Sequence, residues 1–171
     1  MEPVKVGLLG LGTVGGGTVT VLTGNAQEIA RRAGRGIEIA RAAARDYRPE
    51  TIQGLERIGQ IGDDAFAVVD DPEIEIVVEL IGGYSPAREL VLKAIANGKH
   101  VVTANKALIA RHGNEIFAAA RERGVMVCFE AAVAGGIPII KALREGLAAN
   151  HIEWIAGIIN GTGNFILTEM R

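Results

Sequence analysis

At 171 residues with a formal net charge of −2, the chain lacks the basic excess that a nucleic-acid footprint requires. Its apolar fraction of 49% is ample for a core, but aromatics make up only 4%, so that core must be built from Ile, Val, Leu and Ala, as in parallel α/β sheets. Glycine, 23 of 171 residues, runs at about twice its usual ~7% with no collagen-like period, which suits many βα turns.

Residues 4–15 read VKVGLLGLGTVG: an apolar strand (Val4, Val6, Leu8, Leu9) that breaks into Gly10, Gly12 and Gly15. The G-x-G-x-x-G spacing assigns each glycine a task. Gly10 permits the turn, Gly12 lets the backbone approach a pyrophosphate, and Gly15 lets the following helix pack close on the strand. The helix N-terminus then offers unpaired N–H groups to the anion. A glycine-rich turn with no ligand is the plain alternative, and the strand in front of it argues for the dinucleotide. Val6–Gln27 carries no charge, yet its seven glycines and four threonines exclude the leucine-dense run of a membrane span or signal segment. The expectation is a soluble protein without a targeting segment.

The first helix is expected to break near Gly24–Asn25 and resume as QEIARRAG, and a strand follows over Ile37–Ala44. That strand ends in Arg45 and Asp46. An acid there would bind ribose hydroxyls, whereas arginine matches a 2′-phosphate bidentately, with Arg48 able to help. NADP is therefore expected, with NAD usable; a solvated strand-end arginine is the alternative. Asp46–Asp64 reads as irregular, Ala65–Val69 as a short helix, and Glu75–Ile81 as a strand closed by Gly82–Gly83. Ser85–Pro86 predicts a helix start, with a side-chain cap and proline at the first helical position, the helix burying Leu90, Val91, Ala94 and Ile95 and stopping at Asn97–Gly98.

His100–Thr103 is the next strand. It places Thr103, Ala104, Asn105 and Lys106 at the carboxyl edge of the sheet, where ligands sit. A partly buried lysine there can hydrogen-bond a carbonyl oxygen or supply a proton, although most lysines are simply solvated. A helix is predicted over Asn114–Arg123 and a strand over Val125–Glu130, with Cys128 filling core. A lone cysteine forms no internal disulfide, which fits a reducing cytoplasm. The alternation of strand and helix to this point predicts a doubly wound parallel sheet, the Rossmann arrangement.

Glu130 ends a strand among apolar neighbours, and the turn after it offers carbonyls at Val133, Gly135 and Ile137. Carboxylate and carbonyl oxygens suit a hard cation, but Glu130 could equally cap the next helix. That helix is expected from Pro138 to Ala148, followed by a strand over 151–159, an NGTGN turn and a helix from Phe165 to Met170. No stop signal precedes Arg171, so the reading is a nucleotide domain over 1–132 and the beginning of a second α/β domain over 133–171. The three histidines have no zinc-ligand spacing.

Taken together, GLGTVG, VVELIGG (77–83), GKHVVTANKALIA (98–110), FEAAVAGGIPIIKALREGL (129–147) and GIINGTGNFILTEM (157–170) resemble homoserine dehydrogenase in order and spacing. The resemblance implies an enzyme that interconverts L-aspartate 4-semialdehyde and L-homoserine with NADPH or NADH on the route to threonine and methionine. It also implies a catalytic domain that mediates homodimerisation in the full-length protein. It places Gly12, Thr13 and Val14 at the cofactor, Arg45 near the 2′-phosphate, Thr103 and Lys106 beside the nicotinamide, and Lys106 facing the substrate. It assigns a sodium site to Glu130, Val133, Gly135 and Ile137, and sets the Asn160–Thr162 turn in the cleft with Gly161 near the cofactor. Gly163 departs from the family's usual threonine or serine. The family's substrate-binding acids and second catalytic lysine would lie beyond Arg171. A dinucleotide-binding sensor without turnover is the alternative from another class. A semialdehyde dehydrogenase would need an activated nucleophilic cysteine, for which only Cys128 is present.

Overall fold

The computed structural model describes residues 2–158 and 160–171. Six strands form one all-parallel sheet: β1 (Val4–Leu9), β2 (Ile37–Ala43), β3 (Gln60–Gly62), β4 (Ile76–Glu79), β5 (His100–Thr103) and β6 (Val127–Cys128). They lie in the order β3-β2-β1-β4-β5-β6, which puts the first strand of the chain at the centre. The helices are α1 (Thr13–Gly24), α2 (Ala26–Ala33), α3 (Ala65–Asp70), α4 (Ala87–Ala96), α5 (Lys106–Arg123), a short α6 (Ile139–Lys141) and α7 (Gly161–Glu169).

Alternation along β1 divides the core. Leu9 faces α3, α4 and α5 together with Val69, Val77, Leu90, Ile95 and Ile116. Leu8 faces the other layer, with Val19 of α1, Ile39 of β2, and Ile52 and Ile58 from the segment before β3. Full burial of one such aliphatic side chain contributes about 1.5–3 kcal/mol, so the two layers hold the sheet from both sides. The predicted apolar stripe of α4 is buried as expected. Lys99 is buried too, its ammonium donating to the carbonyls of Asp71 (2.5 Å) and Ile74 (2.8 Å).

Several expectations are corrected. The region 46–64 contains the short strand β3, paired to β2 through Ala42↔Ile61. Ser85 does not cap α4: Pro86 is the N-cap, no side chain caps the helix, and its first turn is closed by the Leu90 N–H on the Pro86 carbonyl (3.0 Å). Helix α5 begins at Lys106, eight residues before the expected start, because the Asn105 side chain accepts the Leu108 N–H. Strand β6 pairs only through Val127 and Cys128; alternation at this edge turns Val127 inward and leaves Cys128 exposed, not in the core. The helix expected over 138–148 is α6 followed by one wider turn, Ala142–Gly146. Residues 151–158 form no strand, and Ile159 lies outside the described residues. The NGTGN segment is the opening of α7, with the Asn160 side chain accepting the Gly163 N–H at 2.7 Å. Past Ala132 no described residue is buried.

Candidate dinucleotide-binding site

The carboxyl ends of β1 and β4 face one crevice. From β1 the chain runs to β2 on one side, while β4 and the strands after it build the other side. That divergence makes a topological switch point, where ligands of open α/β sheets bind. Gly10 adopts φ +100°, and a Cβ there would stand 2.9 Å from the Leu80 carbonyl oxygen, so only glycine lets the β1 turn close against the end of β4. Gly15 is tighter: its Cβ would fall 2.0 Å from the carbonyl oxygen of Gly10. Gly12, the N-cap of α1, has nothing within 4 Å of where its Cβ would point. Two of the three glycines are thus demanded by packing, and the middle one opens onto empty space.

Thr13 and Val14, the first residues of α1, are both exposed. No side chain caps this helix and its first turn holds no acid. Among the described residues no hydrogen bond takes the N–H groups of Gly12, Thr13, Val14 or Gly15. This free positive end opens on two adjoining cavities. One, of about 440 Å³, is lined by Gly10, Gly12, Arg45, Asp46, Asp63 and Asp64 among others. The second, of about 960 Å³, is lined by Gly12, Thr13, Gly16, Gly17, Tyr47 and Arg48 among others. Arg45 and Arg48 are exposed, and among the described residues neither guanidinium has a hydrogen-bonded or ion-pair partner. The cavities therefore join a helix N-terminus to two available cations.

At the neighbouring strand ends the structure departs from expectation. Thr103 is fully buried, and its hydroxyl donates to the Glu79 carboxylate at 2.6 Å, so the side chain faces inward and not into the crevice. Lys106 is the first residue of α5 and is exposed, so no burial acts on its ammonium. Asn105, and Glu79, which the sequence reading passed over, are buried and hydrogen-bonded at this edge. A lone acid at a strand end, just before Leu-Ile-Gly-Gly, is the only signal that could have marked Glu79.

Of the expected cation ligands, the Glu130 side chain is already engaged. Both Glu130 carboxylate oxygens accept backbone N–H groups, from Ile140 (2.9 Å) and Lys141 (2.8 Å), so this side chain caps α6. The Ile137 carbonyl accepts the Ile139 N–H, while the carbonyls of Val133 and Gly135 accept no hydrogen bond among the described residues. Those residues hold no cluster of three His, Cys, Asp or Glu able to grip a metal. Gly161 opens α7 and lines neither cavity. No described helix is long and apolar enough to cross a membrane.

A parallel sheet in this strand order, with a glycine turn and an open helix N-terminus at its switch point, defines a Rossmann domain for a nicotinamide dinucleotide. The family model for the homoserine dehydrogenase NAD-binding domain matches residues 10–130, and the homoserine dehydrogenase model matches residues 138–171. The chain belongs to the homoserine dehydrogenase family. A homoserine dehydrogenase of Pseudomonas aeruginosa is 71% identical over 171 residues, covering 100% of this chain and 39% of that protein. The crystal structure of a homoserine dehydrogenase from Thiobacillus denitrificans superposes with a TM-score of 0.91 at 70% identity, over 99% of this chain and 39% of that one. A hyperthermophilic archaeal homoserine dehydrogenase solved in complex with NADPH superposes with a TM-score of 0.78 at 28% identity, covering 99% of this chain and 56% of its own. The chain thus spans about two fifths of the curated relatives' length.

Proposed function

We propose that this chain is the dinucleotide-binding part of an enzyme that interconverts L-homoserine and L-aspartate 4-semialdehyde, serving threonine and methionine biosynthesis. The carrying observation is the open space over Gly12 beside unpaired N–H groups at the switch point, in a chain of this family. The pyrophosphate would lie on the N–H groups of Gly12, Thr13 and Val14, within the field of the α1 dipole. NADP is the preferred form, because Arg45 and Arg48 are free to pair with a 2′-phosphate. NAD remains usable, since its ribose needs no cation.

When bound, the dinucleotide supplies or accepts hydride at the carbon that changes oxidation state. Lys106, at the carboxyl edge, holds the substrate oxygen and stabilises the charge that develops there. Residues 133–171 would open the second, catalytic domain, bringing Gly161 to the cleft. Their exposed Trp154, Ile155 and Ile158 would be covered there or at a homodimer interface. The Val133 and Gly135 carbonyls are what the chain offers a sodium ion, with Glu130 already engaged. The parent enzyme would act in the cytoplasm.

The test is the full-length parent assayed with homoserine and each dinucleotide. Homoserine-dependent reduction of NADP, cut at least tenfold in kcat by Lys106→Ala with cofactor affinity kept, is the expected result. A parent that binds dinucleotide with no turnover would establish the sensor reading instead.

A further inference from the structure

Beneath the carboxyl edge of the sheet, hydrogen bonds close a ring between two loops. Glu79 is fully buried at the end of β4. Its Oε1 accepts the N–H groups of Ile81 (2.9 Å) and Gly82 (3.2 Å), and its Oε2 accepts the Thr103 hydroxyl (2.6 Å). The Thr103 oxygen in turn accepts the Asn105 N–H at 3.0 Å. Asn105 completes the ring, its Nδ2 donating to the Gly83 carbonyl at 2.7 Å while its Oδ1 caps α5 at the Leu108 N–H. No buried side-chain polar atom among the described residues is left unpaired. The ring couples the loop after β4 to the start of α5, and Lys106 is the next residue.

We propose that Glu79 is a positioning residue: through Thr103 and Asn105 it fixes where Lys106 begins its helix. This rests on the proposed role of Lys106. A carboxylate suits the position because it only accepts, which forces the Thr103 hydroxyl to donate to it and leaves the oxygen free for the Asn105 N–H. An amide reverses that polarity. In Glu79→Gln, with the amide oxygen held by Ile81 and Gly82, the NH₂ group would aim at an oxygen that already accepts, and the Thr103 proton would lose its partner. The pyrophosphate turn packs on the end of β4 at Leu80, but none of the ring's hydrogen bonds reaches residues 10–15, so the ring bears on Lys106 and not on the N–H groups of that turn. A displacement of about 1 Å at a reacting group can cost on the order of 10²-fold in rate.

The experiment uses the full-length parent with Glu79→Gln, Thr103→Val, Thr103→Ser and the Glu79→Gln/Thr103→Val double variant. NADPH dissociation constants by fluorescence, KM for homoserine, kcat and thermal melting are measured for each. Expected is a kcat at least tenfold below wild type for Glu79→Gln and Thr103→Val, with NADPH affinity within twofold. The double variant should lose little beyond either single one, and Thr103→Ser should recover most of the loss seen with valine. If Glu79→Gln does not fold, the valine and serine pair at position 103 carries the test from the other side of the same bond. An active wild type with unchanged kcat in Glu79→Gln or Thr103→Val overturns the inference alone. So do losses that multiply in the double variant, or a loss confined to NADPH affinity. A wild type without homoserine-dependent turnover overturns the functional reading and this inference with it.

Discussion

A methyl group at position 15 would stand 2.0 Å from the Gly10 carbonyl oxygen, whereas one at position 12 would meet nothing within 4 Å. The same change therefore has opposite consequences three residues apart. Gly15→Ala must push α1 off β1 or distort the turn, at a cost of about 1–3 kcal/mol or more, read as a lower urea midpoint. Gly12→Val should leave the melting transition close to wild type and remove dinucleotide binding by calorimetry; retained affinity in the folded variant would take the pyrophosphate away from this turn. Arg45 lines the cavity beside Asp46, Asp63 and Asp64. Those carboxylates repel a phosphate, so its binding depends on the guanidinium. Arg45→Ala should weaken NADPH by about 1.5–3 kcal/mol and barely touch NADH; equal losses would show that Arg45 does not read the phosphate. The glycines were legible because their spacing carries geometry. The pairing of Glu79 with Thr103 was not, because a buried carboxylate and its hydroxyl partner come from different strands, and spacing along the chain does not announce their meeting.

At the scale of elements, the runs that read correctly were bounded by punctuation. Strands β1 and β5 end at glycine or at the polar Ala-Asn-Lys, and α4 shows its apolar stripe and stops at Asn97–Gly98. Strand β3 escaped because one apolar residue, Ile61, between Gln60 and Gly62 has no period to detect; its pairing to β2 makes it a strand. Residues 151–158 failed in the opposite direction, having an apolar pattern but no paired neighbour, and a ladder needs two partners. Lys99 lies between such elements, with β5 following it. Burial pushes its ammonium below the usual lysine range, against the pull of Asp71 and Asp70. A lowered folded pKa means the folded state gives up its proton first, so stability rises with pH between that value and the unfolded value of about 10.4. The urea stability of wild type relative to Lys99→Met should therefore grow from pH 8 to pH 10, other groups cancelling in the difference. A flat difference would mean that Lys99 is solvated.

For the molecule as a whole, the proposed binding machinery lies within β1–β5, and none of the described residues after Ala132 is buried. The 171-residue chain is expected to bind NADPH by calorimetry while producing none from homoserine and NADP. Steady production would show a more complete site. Ile139, Ile140 and Leu143 are half-buried, but Trp154 is 76% exposed and Ile158 81%. Apolar surface of that extent should drive concentration-dependent association, visible by sedimentation, and Trp154→Ser should reduce it.

The central place of β1 has a consequence for how the chain is born. Its neighbour β2 follows within 40 residues, but its other neighbour, β4, is complete only at Glu79. At ribosomal rates of about 5–20 residues per second, Leu9 and Glu79 are made roughly 4–14 s apart. Throughout that interval one edge of the central strand stands open, and the nascent chain must be kept from neighbours that would pair with it. The strand that anchors the cofactor turn is also the one most exposed to misassembly during synthesis, so slowing translation between β2 and β4 should lower soluble yield more than slowing it after β5.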